Sequence, residues 1–211
     1  MKHRSLDLLS LLFALATLNL AAGCGPQATT AEANAPAPAS APIATHLKPV
    51  TGIQDIMASM VDPAADYLWE SVATVANEKG VEEKRPKTEE DWKAVRTQAV
   101  ILAEAANLLM VEGRPVAKEG AILEDHGVPG NLTAAESEQA IAADRASFVG
   151  FAEALREVGV QMLTAADRKD VQGLFDAGYP LDEVCENCHL KFWYPGAKAL
   201  EAQQRALRSN Q

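Results

Sequence analysis

Cys185, Cys188 and His189 are the side chains whose types and spacing can do chemistry together. They stand in the order C-x-x-C-H, the attachment signature of c-type haem. In that chemistry both thiols become thioethers to the vinyl groups of the porphyrin, and the histidine gives the iron an axial nitrogen. The spacing suits the task. On a helix, positions i, i+3 and i+4 share one face, so all three side chains would point at one flat macrocycle. A bare C-x-x-C also serves thioredoxin-like redox pairs and zinc sites. The first belongs in an α/β setting, and the sequence carries no evident strand pattern. The second needs further ligands at suitable spacing, and the cysteine count does not supply them.

The chain has 3 cysteines, and the third has a separate use. Lys2, His3 and Arg4 open the sequence, and an apolar run follows from Leu8 to Ala22, with Asp7 just ahead of it. A basic start and a short apolar run mark an export signal rather than a membrane span. The run closes on Leu20-Ala21-Ala22-Gly23-Cys24, which resembles a bacterial lipobox, although Ala21 stands where a larger apolar residue is usual. Residues 1–23 therefore read as a lipoprotein-type signal peptide, and Cys24 as the lipidated first residue of the mature chain. Ordinary cleavage near Ala22 or Gly23, leaving Cys24 free, is the alternative. A lone thiol in an oxidising compartment would be a liability, which favours lipidation. Gly25 follows the cysteine in place of Asp. By resemblance to lipoprotein sorting in Gram-negative bacteria, that implies a periplasmic protein held at the outer membrane. No thiol then remains for a structural disulfide.

Residues 24–47 are mostly Ala, Pro, Thr and Ser, with Pro36, Pro38 and Pro42 interrupting any helix. Such a stretch cannot bury enough surface to offset its ordering entropy, so it reads as a disordered tether. Residues 48–211 are long enough for one domain with a core. The chain carries 19 Lys and Arg against 29 Asp and Glu, a net charge of −10. That balance argues against nucleic acid as a partner and favours basic proteins. Glu82, Glu83, Glu89, Glu90 and Asp91 read as a solvated loop and helix start, or as a docking patch for such a partner. No catalytic triad, phosphate loop or carboxylate cluster appears, so the chain does not read as an enzyme.

Helical periodicity divides the domain into four segments. The first begins near Thr51, carries Ile53, Ile56, Met57, Met60, Ala64, Leu68, Val72 and Val75 on its stripe, and ends near Gly80. Pro63 inside it predicts a kink or a restart capped by Asp62. Charged loop follows from Val81 to Lys87. The second starts at the N-cap Thr88, with Asp91 completing a near capping box, and stops at Gly113. Residues 114–132 make a connection long enough to cover something. The third starts at the capping box Thr133 to Glu136 and runs to Ala166, with a gap in its apolar stripe at Asp144 and Arg145. The fourth starts after Asp170, breaks at Gly178-Tyr179-Pro180, resumes at Leu181 and carries the haem motif. Ala197 to Leu207 reads as a short peripheral helix or a frayed tail.

An all-α chain with four amphipathic helices and C-x-x-C-H on the last resembles the cytochrome c′ family, the class II cytochromes c. The resemblance covers roughly residues 50–194. It implies an antiparallel four-helix bundle, one covalent haem c, and a homodimer built on the first two helices in some members. Family members open their first helix with an Arg-Gln-x-x-Met-like segment, whose Met is the sixth iron ligand in low-spin members. Here Ile53-Gln54-Asp55-Ile56-Met57 matches at Gln54 and Met57 and departs at Ile53. After the motif, Phe192 keeps the family's aromatic residue and Trp193 replaces its base, leaving Lys191 or Arg114 as candidates to meet the haem propionates. Met60, His46 or His126 are alternative sixth ligands, and a core-filling role for Met57 would leave the position open. The function expected with Met57 as ligand is periplasmic electron transfer between redox partner proteins. With an open position it is binding of nitric oxide or carbon monoxide.

Overall fold

The computed structural model describes residues 47–209 apart from residue 79. The signal segment, Cys24, residues 24–46 of the tether and His46 lie outside the described residues. The described part is mostly helical, and among the described residues no helix is long and apolar enough to cross a membrane.

The first helical run is continuous but not uniform. Helix α1 (Ile53–Ile56) passes through a π turn (Met57–Val61) into α2 (Asp62–Ser71). Pro63 explains the wide turn. Its ring would collide with the carbonyl one turn back in α geometry, and it has no N–H to give. The chain relieves both by widening, so that the Asp62 N–H reaches the Met57 carbonyl, five residues back. The run thus continues past Pro63, which stands in the first turn of α2. The run also ends earlier than its periodicity predicts. Residues 73–84 form an antiparallel hairpin, β1 (Ala73–Asn77) with β2 (Gly80–Lys84), in register Ala73 to Lys84. Val72, Thr74, Val75 and Val81 are β-branched, which suits strands. Gly80, at φ +125°, accommodates the end of a two-residue turn that other residues resist.

Helix α3 (Glu89–Leu109) opens on a full capping box. Thr88 Oγ1 accepts from the Asp91 N–H at 3.1 Å, and the Asp91 carboxylate accepts from the Thr88 N–H at 2.9 Å. Helix α4 (Ala134–Ala143) opens on a second, Thr133 with Glu136. The stripe gap at Asp144 proves to be a break between α4 and α5 (Arg145–Arg168). Asp144 leaves helical geometry at φ −140°, and its carboxylate caps α5 by accepting from the Ser147 N–H at 3.1 Å. Lys169, in the left-handed conformation, ends α5, and Asp170 caps α6 (Val171–Phe192) by accepting from Gly173. Pro180 does not break α6. Trp69 on α2 donates to the Gly178 carbonyl at 3.1 Å, so a neighbouring helix supplies a partner beside the proline turn. Helix α7 (Ala197–Ser209) closes the described chain and is mostly exposed.

Helix α3 lies along α5, α5 along α6, and α2 against α3 and α6. Leu68, Val95, Leu102, Met162, Leu174 and Leu181 are the large side chains sealed between them. Lys191 on α6 donates to Asp144 Oδ2 at 2.5 Å, tying the last helix to the start of α5. That bond first, then those from Ser147, hold the Asp144 carboxyl down at about 2. Its folded value lies below its unfolded one, so its contribution is present above about pH 4 and is lost as pH falls from there towards 2. Asp144→Asn is expected to lower the melting temperature at neutral pH and to flatten the acid limb between pH 4 and 2. A melting-temperature series across that range checks it; an unchanged limb would show that the carboxylate contributes nothing.

Candidate haem site

Helix α6 sets three side chains on one face. Cys185 and Cys188 are partly buried and free, and His189 follows one position on. Burial pushes both thiols up to about 12, with the Asp62 and Asp182 carboxylates adding to the rise at Cys185. Neither sulfur is a thiolate at neutral pH, so the pair is poorly suited to disulfide exchange. The same burial lowers the His189 imidazole, against a weaker opposite pull from Glu186. A neutral imidazole offers a nitrogen lone pair to a metal.

The helix ends just beyond the motif, and its end shapes the site. The Trp193 and Tyr194 N–H groups both donate to the His189 carbonyl, at 2.8 and 2.9 Å. This turns the two rings onto the imidazole, edge-on, with centroids 4.9 and 5.7 Å away. The Tyr194 hydroxyl donates to Glu186 at 2.7 Å. Phe192, beneath them, packs edge-on against Phe148 at 5.6 Å and Phe151 at 6.3 Å.

Two adjoining cavities meet at this face. The first encloses about 800 Å³ of empty space, its mouth included, between α1, α4, α6 and the long connection. Ile53, Leu123, Ile141, Phe148 and Phe192 make it predominantly apolar. The second, about 1150 Å³, opens between α2, α5 and α6. Met57, Asp62, Phe148, Cys188 and His189 wall both, and Cys185 walls the second. The structure thus brings Met57 of the π turn to the cavities that carry the motif. Met60 is partly buried and walls neither cavity, and His126 is exposed on the connection and walls neither.

Residues 110–133 do cover something. Pro115 and Val116 accept hydrogen bonds from the Ile53 and Gln54 N–H groups, both 2.9 Å, which caps the start of α1. Gln54 donates to the Ile122 carbonyl at 3.0 Å, and Leu123 and Glu124 lie on the first cavity's wall. The far end is clamped to the motif helix, where the Leu132 N–H donates to the Trp193 carbonyl at 2.8 Å. Gly196 stands so close to Gly130 that a Cβ there would lie 2.5 Å from its Cα.

Arg114 and Lys191 line neither cavity. Arg114 donates to the Leu108 and Thr51 carbonyls, and Lys191 is taken by Asp144 and Ser147. Among the described residues, two buried side-chain atoms lack partners. Ser137 Oγ and Trp193 Nε1 are sealed from water, have no hydrogen bond, and belong to residues that wall the first cavity. No short-range pattern marks Ser137, which sits on α4, whereas Trp193 stands at the end of the motif helix itself. A flat apolar group with two vinyl groups, a metal and polar tips suits these walls: two thiols and a neutral imidazole on one helix face, a thioether on the same walls, and donors awaiting partners. Comparison with family models, characterised proteins and solved structures finds no match to this chain.

Proposed function

We propose that the chain is a monohaem c-type cytochrome that carries electrons in the periplasm, its iron held between His189 and Met57. The observation that carries this reading is that His189, Cys188 and Met57 share the walls of two adjoining cavities, the first largely apolar, with Cys185 beside them on the second. Bound haem supplies a one-electron iron couple. Cys185 and Cys188 fix it through thioethers, and the buried imidazole of His189 stays neutral and free to ligate. The soft sulfur of Met57 favours the ferrous state and raises the potential. Ile53, Phe148 and the connection at Leu123 exclude water. On this reading the run α1 to α2, with α3, α5 and α6 packed as they are, would supply the four helices of a class II cytochrome. A lipid on Cys24 and the tether hold the domain to the outer membrane.

The acidic balance points to basic redox partners, and the second cavity gives it a location. Asp62, Asp66, Asp182 and Glu186 line that cavity, where an exposed edge of the macrocycle would meet a partner. A second reading, a five-coordinate gas-binding protein, draws on the apolar space beside Met57, which would admit a diatomic ligand if the thioether left the iron.

The test is an absorption spectrum of haem-loaded protein, oxidised and reduced, with and without carbon monoxide. A low-spin spectrum with a methionine–ferric charge-transfer band and slow or absent carbon monoxide binding is expected. A high-spin spectrum with ready gas binding would move the function to the second reading. Failure to load haem covalently beside a c-type maturation apparatus would overturn both.

A further inference from the structure

We infer that Ser137 and Trp193 form a carboxylate-binding subsite: the hydroxyl of Ser137 and the indole N–H of Trp193 donate to the carboxylates of the tetrapyrrole. The assignment rests on the haem reading above and adds residues that the C-x-x-C-H pattern does not contain. Ser137 is 4 % exposed, and its oxygen has no partner. A buried hydroxyl on a helix usually bonds back to the carbonyl one turn earlier. Even the exposed hydroxyls of Thr97 and Thr164 do so here, to Lys93 and Val160, both at 2.8 Å. Ser137 does not, although its backbone N–H bonds to Thr133 as helix geometry requires.

The Trp193 indole nitrogen is likewise buried and unpaired. Indole N–H groups normally find an acceptor when buried, as that of Trp69 does at Gly178. Leaving such a group without a partner costs its full desolvation penalty. Two orphans in residues that line one cavity imply an acceptor that occupies it. On the haem reading the carboxylates of the tetrapyrrole are such acceptors, and the ring that carries them suits the remaining walls, which are largely hydrocarbon.

The surroundings explain why neutral donors are needed. No Lys or Arg lines this cavity, whereas Asp62 and Glu124 do. A carboxylate entering there meets repulsion, and Arg114 and Lys191 are already occupied. Hydrogen bonds from Ser137 and Trp193 are the compensation that the described walls offer.

Covalent haem loading of the wild-type chain is scored first. Its absence would overturn the cytochrome reading and this assignment with it. In the loaded protein, the indole N–H resonance of Trp193, identified by its loss in Trp193→Phe, should be shifted downfield and slow to exchange, like that of Trp69. Ser137→Ala and Trp193→Phe should each lower the reduction potential, because a carboxylate with fewer donors keeps more negative charge beside the ferric iron. Both variants should retain the methionine–ferric band, which a general loosening of the site would remove. A fast-exchanging, unbonded Trp193 resonance in loaded protein would overturn the assignment. So would wild-type potentials in both variants.

Discussion

Met57→Ala should convert a low-spin, closed haem protein into one that binds carbon monoxide readily and has lost its methionine–ferric charge-transfer band. The side chain belongs to the π turn, where the wide geometry forced by Pro63 sets the residues ahead of the proline on a different face from that of a regular helix. Met57 walls both cavities, whereas Met60 walls neither. The neighbouring methionine is therefore the natural control, and Met60→Ala should leave the spectrum unchanged. Removal of a soft sulfur ligand should also lower the reduction potential, by roughly a tenth of a volt or more, within the ~0.8 V that axial ligands span. The fold should tolerate the change. Met57 is only partly buried, and alanine is the best helix former. A Met57→Ala protein that stays low-spin with its band intact would show that another group ligates the iron.

The parts of this architecture written in local sequence were legible, and those made by distant contacts were not. Thr88 with Asp91 and Thr133 with Glu136 are capping boxes because each needs only residues three apart. Asp144 interrupted the stripe because it is a cap and not part of a helix. The prolines misled. Pro63 and Pro180 carry a local breaking tendency, yet packing keeps both in helical runs, one through a π turn and the other beside a bond from Trp69. The hairpin was missed because Leu68, Val72 and Val75 fit helical spacing over a run too short to separate the two periods. At the site, Cys185, Cys188 and His189 declare themselves by spacing, and Met57 by resemblance. Ser137 and Leu123 reach the cavity through the packing of α4 and the connection, which no short-range pattern encodes, whereas Trp193 is set there by the end of the motif helix four residues past His189.

Gly159→Val should be strongly destabilising. Helices α3 and α5 make the most extensive helix contact, and α3 presents Ala99, Ala103, Ala105 and Ala106 as buried residues. Such small residues let two backbones approach closely. A Cβ on Gly159 would lie 2.9 Å from the Ala103 backbone nitrogen and 3.0 Å from its Cα. Backbone in mid-helix cannot turn aside as a side-chain tip can, so the helices must separate. Overpacking of this kind costs about 1–3 kcal/mol, and a β-branched residue belongs at the upper end. Gly150 on the same helix is the contrasting case, since nothing lies within 4 Å of the Cβ it would gain. Gly150→Ala should stabilise by up to about 1 kcal/mol through helix propensity alone. Urea unfolding of the loaded protein, followed by far-ultraviolet circular dichroism, measures both. The damage should also reach the site. Phe148, Phe151 and Leu155 of α5 wall the second cavity, so a displaced α5 should broaden the haem spectrum as well as lower the midpoint. Equal midpoints for the valine variant and the wild type would mean that α3 and α5 do not approach as closely at Gly159 as described.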